Sequence, residues 1–451
     1  MNFFNSLWTH ILWLCVASLF FGTVSGIAVS VIIGIDNLKD ASEVIRNAVL
    51  IAAAVGGAPI LIWRAIIADQ QAKAAKTQTE LTERGQDVDR HQKGAELLVS
   101  DHPYVRIAGI QTLRGLATAK PEENYLNVLE LFFAYIREKN RHLRQKTVKS
   151  PNHQPPFMDE VTYQAVTTIT YLRNTVDRIV SLEAGWAPHL KNTDLRKADL
   201  EGANMSGVDF SGADLSEAKL ETACLSKALL FNGKLSKAHL HRADMTGTYL
   251  HKAVLKEAVL IEAILANADC NEADFSDAKM AKADLTEGSF QEAIFKNAKM
   301  AGTVCTGAKF DDADLKAANL VRANFSFAFI TNADLSYTTA RHANFGEADC
   351  TGSVLTSADF TGAKLAGVNL RGVDLTGALL AEADLTGADL TNADLTAADL
   401  TNANFTGANL SGSNLNQITL SAATNLTGIW ANQTNKPTNV RPEVAAAITY
   451  V

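Results

Sequence analysis

Few residues in this chain have the type and spacing to do chemistry. The five cysteines are Cys15, Cys224, Cys270, Cys305 and Cys350, and they form neither a CxxC pair nor a His-interleaved metal pattern. Three of them stand where neighbouring segments carry Leu or Phe, so they read as small buried hydrophobes in a reducing compartment. His239, His241 and His251 are close in sequence, but no metal site is expected among them. There is no glycine-rich phosphate loop and no paired nucleophile and base. The sequence therefore predicts no catalytic, cofactor or metal site and no enzyme.

What remains is organisation. At 451 residues the chain exceeds one ordinary core. Residues 1–35 contain no Asp, Glu, Lys or Arg, and residues 36–189 mix both signs. Residues 190–430 carry 20 basic and 30 acidic groups, so the acidity of the chain lies there.

Leu7 to Ile35 is an apolar run longer than the roughly 20 residues that cross a bilayer. No basic segment precedes it, and a second apolar stretch, Ala48 to Ala68, follows, which favours two transmembrane helices over a signal peptide. Pro59 is tolerated in such a helix and Arg64 can reach the interface. The connection Asp36 to Asn47 has two basic and three acidic residues, whereas Arg64, Lys73, Lys76 and Arg84 follow the second stretch. The charge asymmetry places both termini in the cytoplasm and the protein in a bacterial inner membrane. Ser18, Gly22, Gly26, Ser30 and Gly34 recur every four residues, as Ala48, Ala52 and Gly56 do. Such small-residue stripes pack two helices as a hairpin or build a homo-oligomer.

Residues 69–100 read as a helical stalk, with Gly85 and Gly94 weighing against one straight helix. The spacing of Asp101, Val105, Arg106, Ala108, Leu113 and Leu116 resembles the second helix of a HEAT or armadillo repeat. Amphipathic helices over Glu122 to Glu138 and Asp159 to Ser181, separated by Pro151, Pro155 and Pro156, complete a small HEAT-like helical domain over 101–189. Arg137, Lys139, Arg141, Arg144, Lys146 and Lys149 are opposed only by Glu138. They are a candidate lipid contact, against the plainer reading of a solvated loop.

From Leu195 to Leu420 every fifth residue is apolar, through 46 units without a slip of phase. Two residues earlier stands a small residue, usually Ala, as at Ala198, Ala283 and Ala383. Residues two apart in extended chain face the same side, so Ala and the central Leu or Phe point inward. Asp, Asn, Thr, Gly, Lys and Glu occupy the outward places, as in Ala383-Asp384-Leu385-Thr386-Gly387. A helix is excluded, because a period of five drifts around its surface. The chain must turn at each unit and stack its coils.

These units, nearly regular from Ala383 to Asn404, resemble the pentapeptide-repeat family. The resemblance covers about half of the chain and implies a mainly β solenoid, a right-handed quadrilateral β-helix with four units per coil. The spacing does not itself supply that number, because Phe-to-Phe spacings of 15 and 20 both occur. At roughly 4.8 Å per coil the rod would be about 55 Å long. Its ends need covers. The helical domain can cover the first coil, and residues 421–451, with Leu426, Ile429 and Trp430, form a C-terminal cap and tail over the last. Capped ends predict a monomeric rod, with any oligomer arising from the transmembrane stripe.

The outward Asp or Asn is replaced at Leu229, Tyr249, Val254, Val259 and Ile264. These form a candidate protein-binding patch, or a surface lying under the helical domain or stalk. The reading that follows is a noncatalytic membrane-anchored scaffold presenting the rod to an unknown protein partner. Some members of the family mimic duplex DNA and protect or inhibit topoisomerase, and nine acids against Lys364 and Arg371 over residues 344–420 fit that alternative. A lipid-contacting defence or stress component is a further alternative, and direct nucleic-acid binding is not expected.

Overall fold

A computed structural model describes residues 38–149, 160–176 and 189–451, with side chains over 64–139, 160–175 and 189–451. The chain divides into two units, Met1–Asp89 and Arg90–Val451.

In the first unit the described residues belong to helix α1, Leu38–Leu98, which continues into the second unit. The two-span membrane reading is corrected here. Leu7 to Ile35, with the Ser18, Gly22, Gly26, Ser30 and Gly34 stripe, lies outside the described residues. Ala48 to Ala68 is not a separate span. It is part of one 61-residue helix that runs unbroken into the charged stretch beginning at Arg64 and Asp69. Among the described residues no helix is long and apolar enough to cross a membrane. The two-helix inner-membrane topology and oligomerisation through its helices are therefore not carried forward.

Gly85 and Gly94 do not interrupt α1. Gly94 serves packing instead: a Cβ there would lie 2.6 Å from Leu113 Cγ, and one at Gly109 would lie 2.9 Å from the Gly94 carbonyl oxygen. The two glycines let the end of α1 lie directly on helix α2, Pro103–Ala119. Helices α3, Pro121–Lys149, and α4, Glu160–Val176, pack with α2 around Ile110, Leu113, Leu129, Phe132, Phe133 and Ile169, all buried. Arg114 stacks over the Tyr171 ring at 3.8 Å, adding a cation–π contact between α2 and α4.

The solenoid follows from backbone accounting. Parallel bridges link each outward residue to the one 20 positions on, from His189 with Asp209 to Asp399 with Thr419. One coil is therefore 20 residues, four repeat units around four faces. In the unit centred on Leu195, the amides of Leu195 and Lys197 donate to Asp214 O and Ser216 O of the next coil, at 2.7 and 3.0 Å. The Ala198 amide closes a turn on Leu195 O at 3.0 Å, and Asp214 N returns to Thr193 O at 2.8 Å. The second turn residue takes positive φ, as at Lys197 (59°) and Gly387 (68°), the left-handed conformation that a type II turn demands. Four of five amides per unit thus find backbone partners; the amide after the central residue does not.

The outward Asp or Asn supplies the missing acceptor. Asp394 Oδ1 accepts from Thr396 N at 2.8 Å and Thr396 Oγ1 at 2.6 Å, and Asp384, Asp389 and Asp399 repeat the arrangement. This is a local side-chain cap on a turn. Where Thr replaces the small inward Ala, its buried hydroxyl donates to the central carbonyl three residues earlier, as from Thr248 to Met245 O at 2.8 Å. Central Leu and Phe side chains fill the interior with almost no exposure. Phe275 and Phe295 stack at 4.9 Å, Phe290 and Phe310 at 5.0 Å, and Phe325 and Phe345 at 4.9 Å, each pair one coil apart.

Both ends of the solenoid are closed. At the first described coil, side chains of α3 and α4 bond backbone groups of the solenoid. Arg137 Nη1 of α3 donates to His189 O at 3.0 Å, and Arg173 Nη2 of α4 donates to Ser206 O at 2.9 Å. Asn174 Oδ1 accepts from Asn204 N at 2.9 Å. At the other end the ladder slips by one residue, pairing Asn404 with Asn425 and Asn409 with Trp430. Strand β1, Trp430–Ala431, then pairs in parallel with β2, Thr449–Tyr450. Between them the short helix α5, Pro442–Ala447, sets Val444 against Phe405, Leu410, Leu415, Leu420 and Leu426.

Candidate interaction surface of the solenoid

The interior offers no chemistry. Cys270, Cys305 and Cys350 are buried among the central side chains. Burial pushes all three thiols up, those of Cys305 and Cys350 to about 12, away from the reactive thiolate. Cys224 stands at an outward position and is half-buried. Among the described residues no group of His, Cys, Asp and Glu side chains could hold a metal ion. His239 binds Glu221 at 3.1 Å, and His251 lies 3.6 Å from Glu272 on a different edge of the rod.

Outward carboxylates are largely committed to the turns. Burial alone would raise the Asp209 carboxyl, but donors from Ser211 and Lys191 hold it below its ordinary value of 3.8. The same opposition, with the donors again prevailing, governs Asp274, Asp359 and Asp374. In these four the second oxygen is also engaged: Asp209, Asp274 and Asp359 hold Lys191, Lys256 and Arg341, and Asp374 accepts from Thr356 Oγ1.

The 20-residue coil also redistributes the five residues singled out as a binding patch. Leu229 and Tyr249 pair directly across two coils on the first face, the row that runs from His189 to Asn409. Val254, Val259 and Ile264 follow Tyr249 at five-residue steps, so they lie on the second, third and fourth faces of the same coil. They make a belt around the rod and not one patch. What does assemble on the first face is Leu229, Tyr249 and Phe231, whose ring lies 5.8 Å from that of Tyr249. Tyr249 remains 43% exposed and Ile264 41%, so neither lies beneath the helical unit. The sequence reading missed Phe231 because it stands in a turn, outside the interrupted Asp/Asn column. It also passed over Phe327 and Phe329, 59% and 47% exposed, four coils further along the first face.

Of the six cations grouped as a lipid contact, Arg137 closes the first coil and bridges Glu130 at 2.7 Å, which gives it a structural occupation. Lys139 lies in α3, and the side chains of Arg141, Arg144, Lys146 and Lys149 lie outside the described residues.

No curated protein sequence matches the chain. Among solved structures, the chain is similar to HetL, a pentapeptide repeat protein involved in heterocyst differentiation regulation from the cyanobacterium Nostoc. That match has 27% identity, covers 53% of this chain and 90% of HetL, and gives a TM-score of 0.24. QnrB1, a plasmid-mediated fluoroquinolone resistance protein, matches at 19% identity over 48% of this chain and 90% of its own, with a TM-score of 0.27. A pentapeptide repeat protein from the Arabidopsis thaliana thylakoid lumen matches at 32% identity over 23% of this chain and 69% of its own, with a TM-score of 0.15. The pentapeptide repeats family matches in eight copies over residues 189–221, 223–260, 253–291, 298–336, 341–377 and 378–417. With the five-residue turn and the four-sided coil, those copies make the chain a member of the pentapeptide-repeat family, whose fold is a right-handed β-helix.

Proposed function

We propose that the chain is a noncatalytic scaffold whose rod engages a protein partner through its first face. The observation that supports this is the contrast between inside and outside. Buried thiols, hydroxyls and capping carboxylates are spent on the fold, whereas Leu229 and Tyr249 interrupt the capping pattern on one exposed face, with the turn residue Phe231 beside Tyr249. Leu229 and Tyr249 leave the amides two residues on without the carboxylate cap. A residue type that forgoes about 1 kcal/mol of turn stabilisation per site while exposing apolar surface is better suited to contact than to folding.

Affinity purification of the full chain with mass spectrometry tests this, alongside Leu229→Asp/Tyr249→Asp and the control Val354→Asp on the second face. A partner should be recovered with the wild type and the control and lost with the double variant. Equal recovery with all three would remove the first face from the reading.

A second reading, a DNA-mimicking binder of a topoisomerase, is favoured by charge alone. Residues 344–420 hold nine acids and two cations, a net of minus seven over nearly four coils. At about 4.8 Å per coil that is minus seven in about 18 Å, against about 11 phosphates in the same length of duplex. The full chain should then inhibit gyrase supercoiling or shield the enzyme from a poison, and the charge-reversed variant Asp384→Lys/Asp394→Lys should not.

A further inference from the structure

The outward cations change behaviour midway along the rod. In the first coils they pair one coil on: Lys197 with Glu217, Lys237 with Glu257, Arg242 with Glu262 and Lys252 with Glu272, at 2.7 to 3.6 Å. Lys279, Lys282, Lys296, Lys299, Lys316 and Arg322 then form no ion pair among the described residues. All six are at least partly exposed. The 20-residue ladder places them on the third face and its two edges, over three successive coils, with Asp277 as the sole carboxylate among them. Across the rod, the first face and its edges carry Glu287, Glu292, Asp311 and Asp312 in two of the same coils, with Lys309 as the single cation there. A repeat region of net charge minus 10 thus holds one basic face directly opposite an acidic one.

We infer that the basic third face docks on the acidic first face of a second copy of this chain, the rods side by side, parallel and unrotated. Three features select this occupant. Charges of opposite sign stand at the same heights: along the edge beside the fourth face Lys282 meets Glu287, and along the edge beside the second face Lys296 and Lys316 meet Glu292, Asp311 and Asp312. The axial repeat is common to both partners, so each pair recurs in step with the next at about 4.8 Å. An unrelated acidic protein or a nucleic acid backbone lacks that spacing. Finally, none of these cations forms an ion pair among the described residues, although Lys316 lies over the Tyr337 ring at 5.6 Å, so docking breaks no existing ion pair on that face. The contact is heterologous and leaves an identical pair of faces free on each outer copy, so copies add laterally.

Sedimentation velocity of the full chain tests the proposal at about 20 mM and about 500 mM salt, where the screening length falls from about 20 Å to about 4 Å. At low salt the weight-average mass should rise at least about two-fold above the 48.4 kDa monomer, and at high salt return to it. Lys282→Glu/Lys296→Glu/Lys316→Glu should stay monomeric at low salt, as should Glu287→Lys/Glu292→Lys/Asp312→Lys. The left-handed turn positions accept either side chain, since Lys282 and Glu287 hold φ of 59° and 56°, and circular dichroism verifies the fold. An equimolar mixture of the two variants should regain association, because each now meets its complement. Lys309→Glu should strengthen it. Low-salt association that survives in the lysine variant, or a monomeric wild type that binds a duplex oligonucleotide through these lysines, overturns the inference.

Discussion

Replacing Phe295 by Ala should cut the rod's stability at one level and leave its ends nearly intact. The Phe295 ring is fully buried and touches three others: Phe275 stacked at 4.9 Å with planes 4° apart, Phe310 at 5.5 Å and Phe290 edge-on at 5.6 Å. Truncating a buried Phe to Ala costs about 3–5 kcal/mol through lost transfer energy and the cavity left behind. Aromatic pairs add about 0.5–1.5 kcal/mol beyond burial. With three ring partners in two adjoining coils and in its own, the cost belongs at the upper end, about 4–5 kcal/mol. Leu265→Ala, which removes no ring, should cost about 3 kcal/mol. In a solenoid each coil contacts only its neighbours, so the loss stays local. Urea denaturation followed by circular dichroism should therefore split into two transitions, and hydrogen exchange should accelerate from about Phe275 to Leu315 while Leu385 to Leu410 keeps its protection. A cost below about 1 kcal/mol, or loss of protection spread evenly along the rod, would refute the stacked core as the coupling between coils.

Asp394→Ala removes the acceptor of three hydrogen bonds, from Thr396 N at 2.8 Å, Thr396 Oγ1 at 2.6 Å and Asn414 Nδ2 at 3.2 Å, and should destabilise by about 1–2 kcal/mol in chemical denaturation, with Asp394→Asn close to wild type. The melting temperature should hold from neutral pH to about pH 4 and fall below it. Asp209, Asp274, Asp359 and Asp374 titrate below their ordinary value when folded, so the stability they contribute is complete above the unfolded value of about 3.9 and is lost as pH drops through the folded one. A melting temperature unchanged down to about pH 2.5 would show that the caps contribute nothing. Of the cysteines in the solenoid, Cys224 alone should react with iodoacetamide in the native protein, and Cys270, Cys305 and Cys350 only after denaturation, as peptide mass spectrometry would record.

How much of this was legible beforehand depended on whether a property repeats. The inward positions were readable because burial imposes the same requirement at Leu195 and at Leu420, so the period exposes it. Coil size was not, because Phe, Leu, Met and Cys all fill the central position and their spacing does not count faces. The four-unit coil that the family resemblance implies already spreads Tyr249, Val254, Val259 and Ile264 into a belt, so their shared departure from Asp or Asn does not make them a patch. The capping role of Asp had a signal that went unused: Asp384, Asp389, Asp394 and Asp399 are each followed two residues later by Thr. A solvated decoration has no reason to keep that partner. Ala48 to Ala68 misled in the opposite way, since a hydropathy window sees local composition and not that the same helix runs on through Arg64 and Asp69.

The same accounting limits where this rod can carry information. Of five positions in a unit, two are buried, and one more is drawn to Asp or Asn by the amide that no backbone group can satisfy. The two turn positions remain. Their conformation is fixed, yet Lys, Glu, Asn, Phe, Tyr, His and Gly all occupy the left-handed one. A specific surface can therefore be written either in the turns, at no loss of capping, or in the capping column, at the loss of one hydrogen bond per site. Lys282, Lys296 and Lys316 of the basic band are written in turns and leave the caps intact, whereas Lys279 and Lys299 beside them overwrite caps, as Leu229 and Tyr249 do. Selection for charge alone could produce the first at almost no expense in stability. The second opposes folding at every site, and for that reason the Leu229, Phe231 and Tyr249 cluster is the place on the rod where a partner's contribution is most needed to explain the sequence.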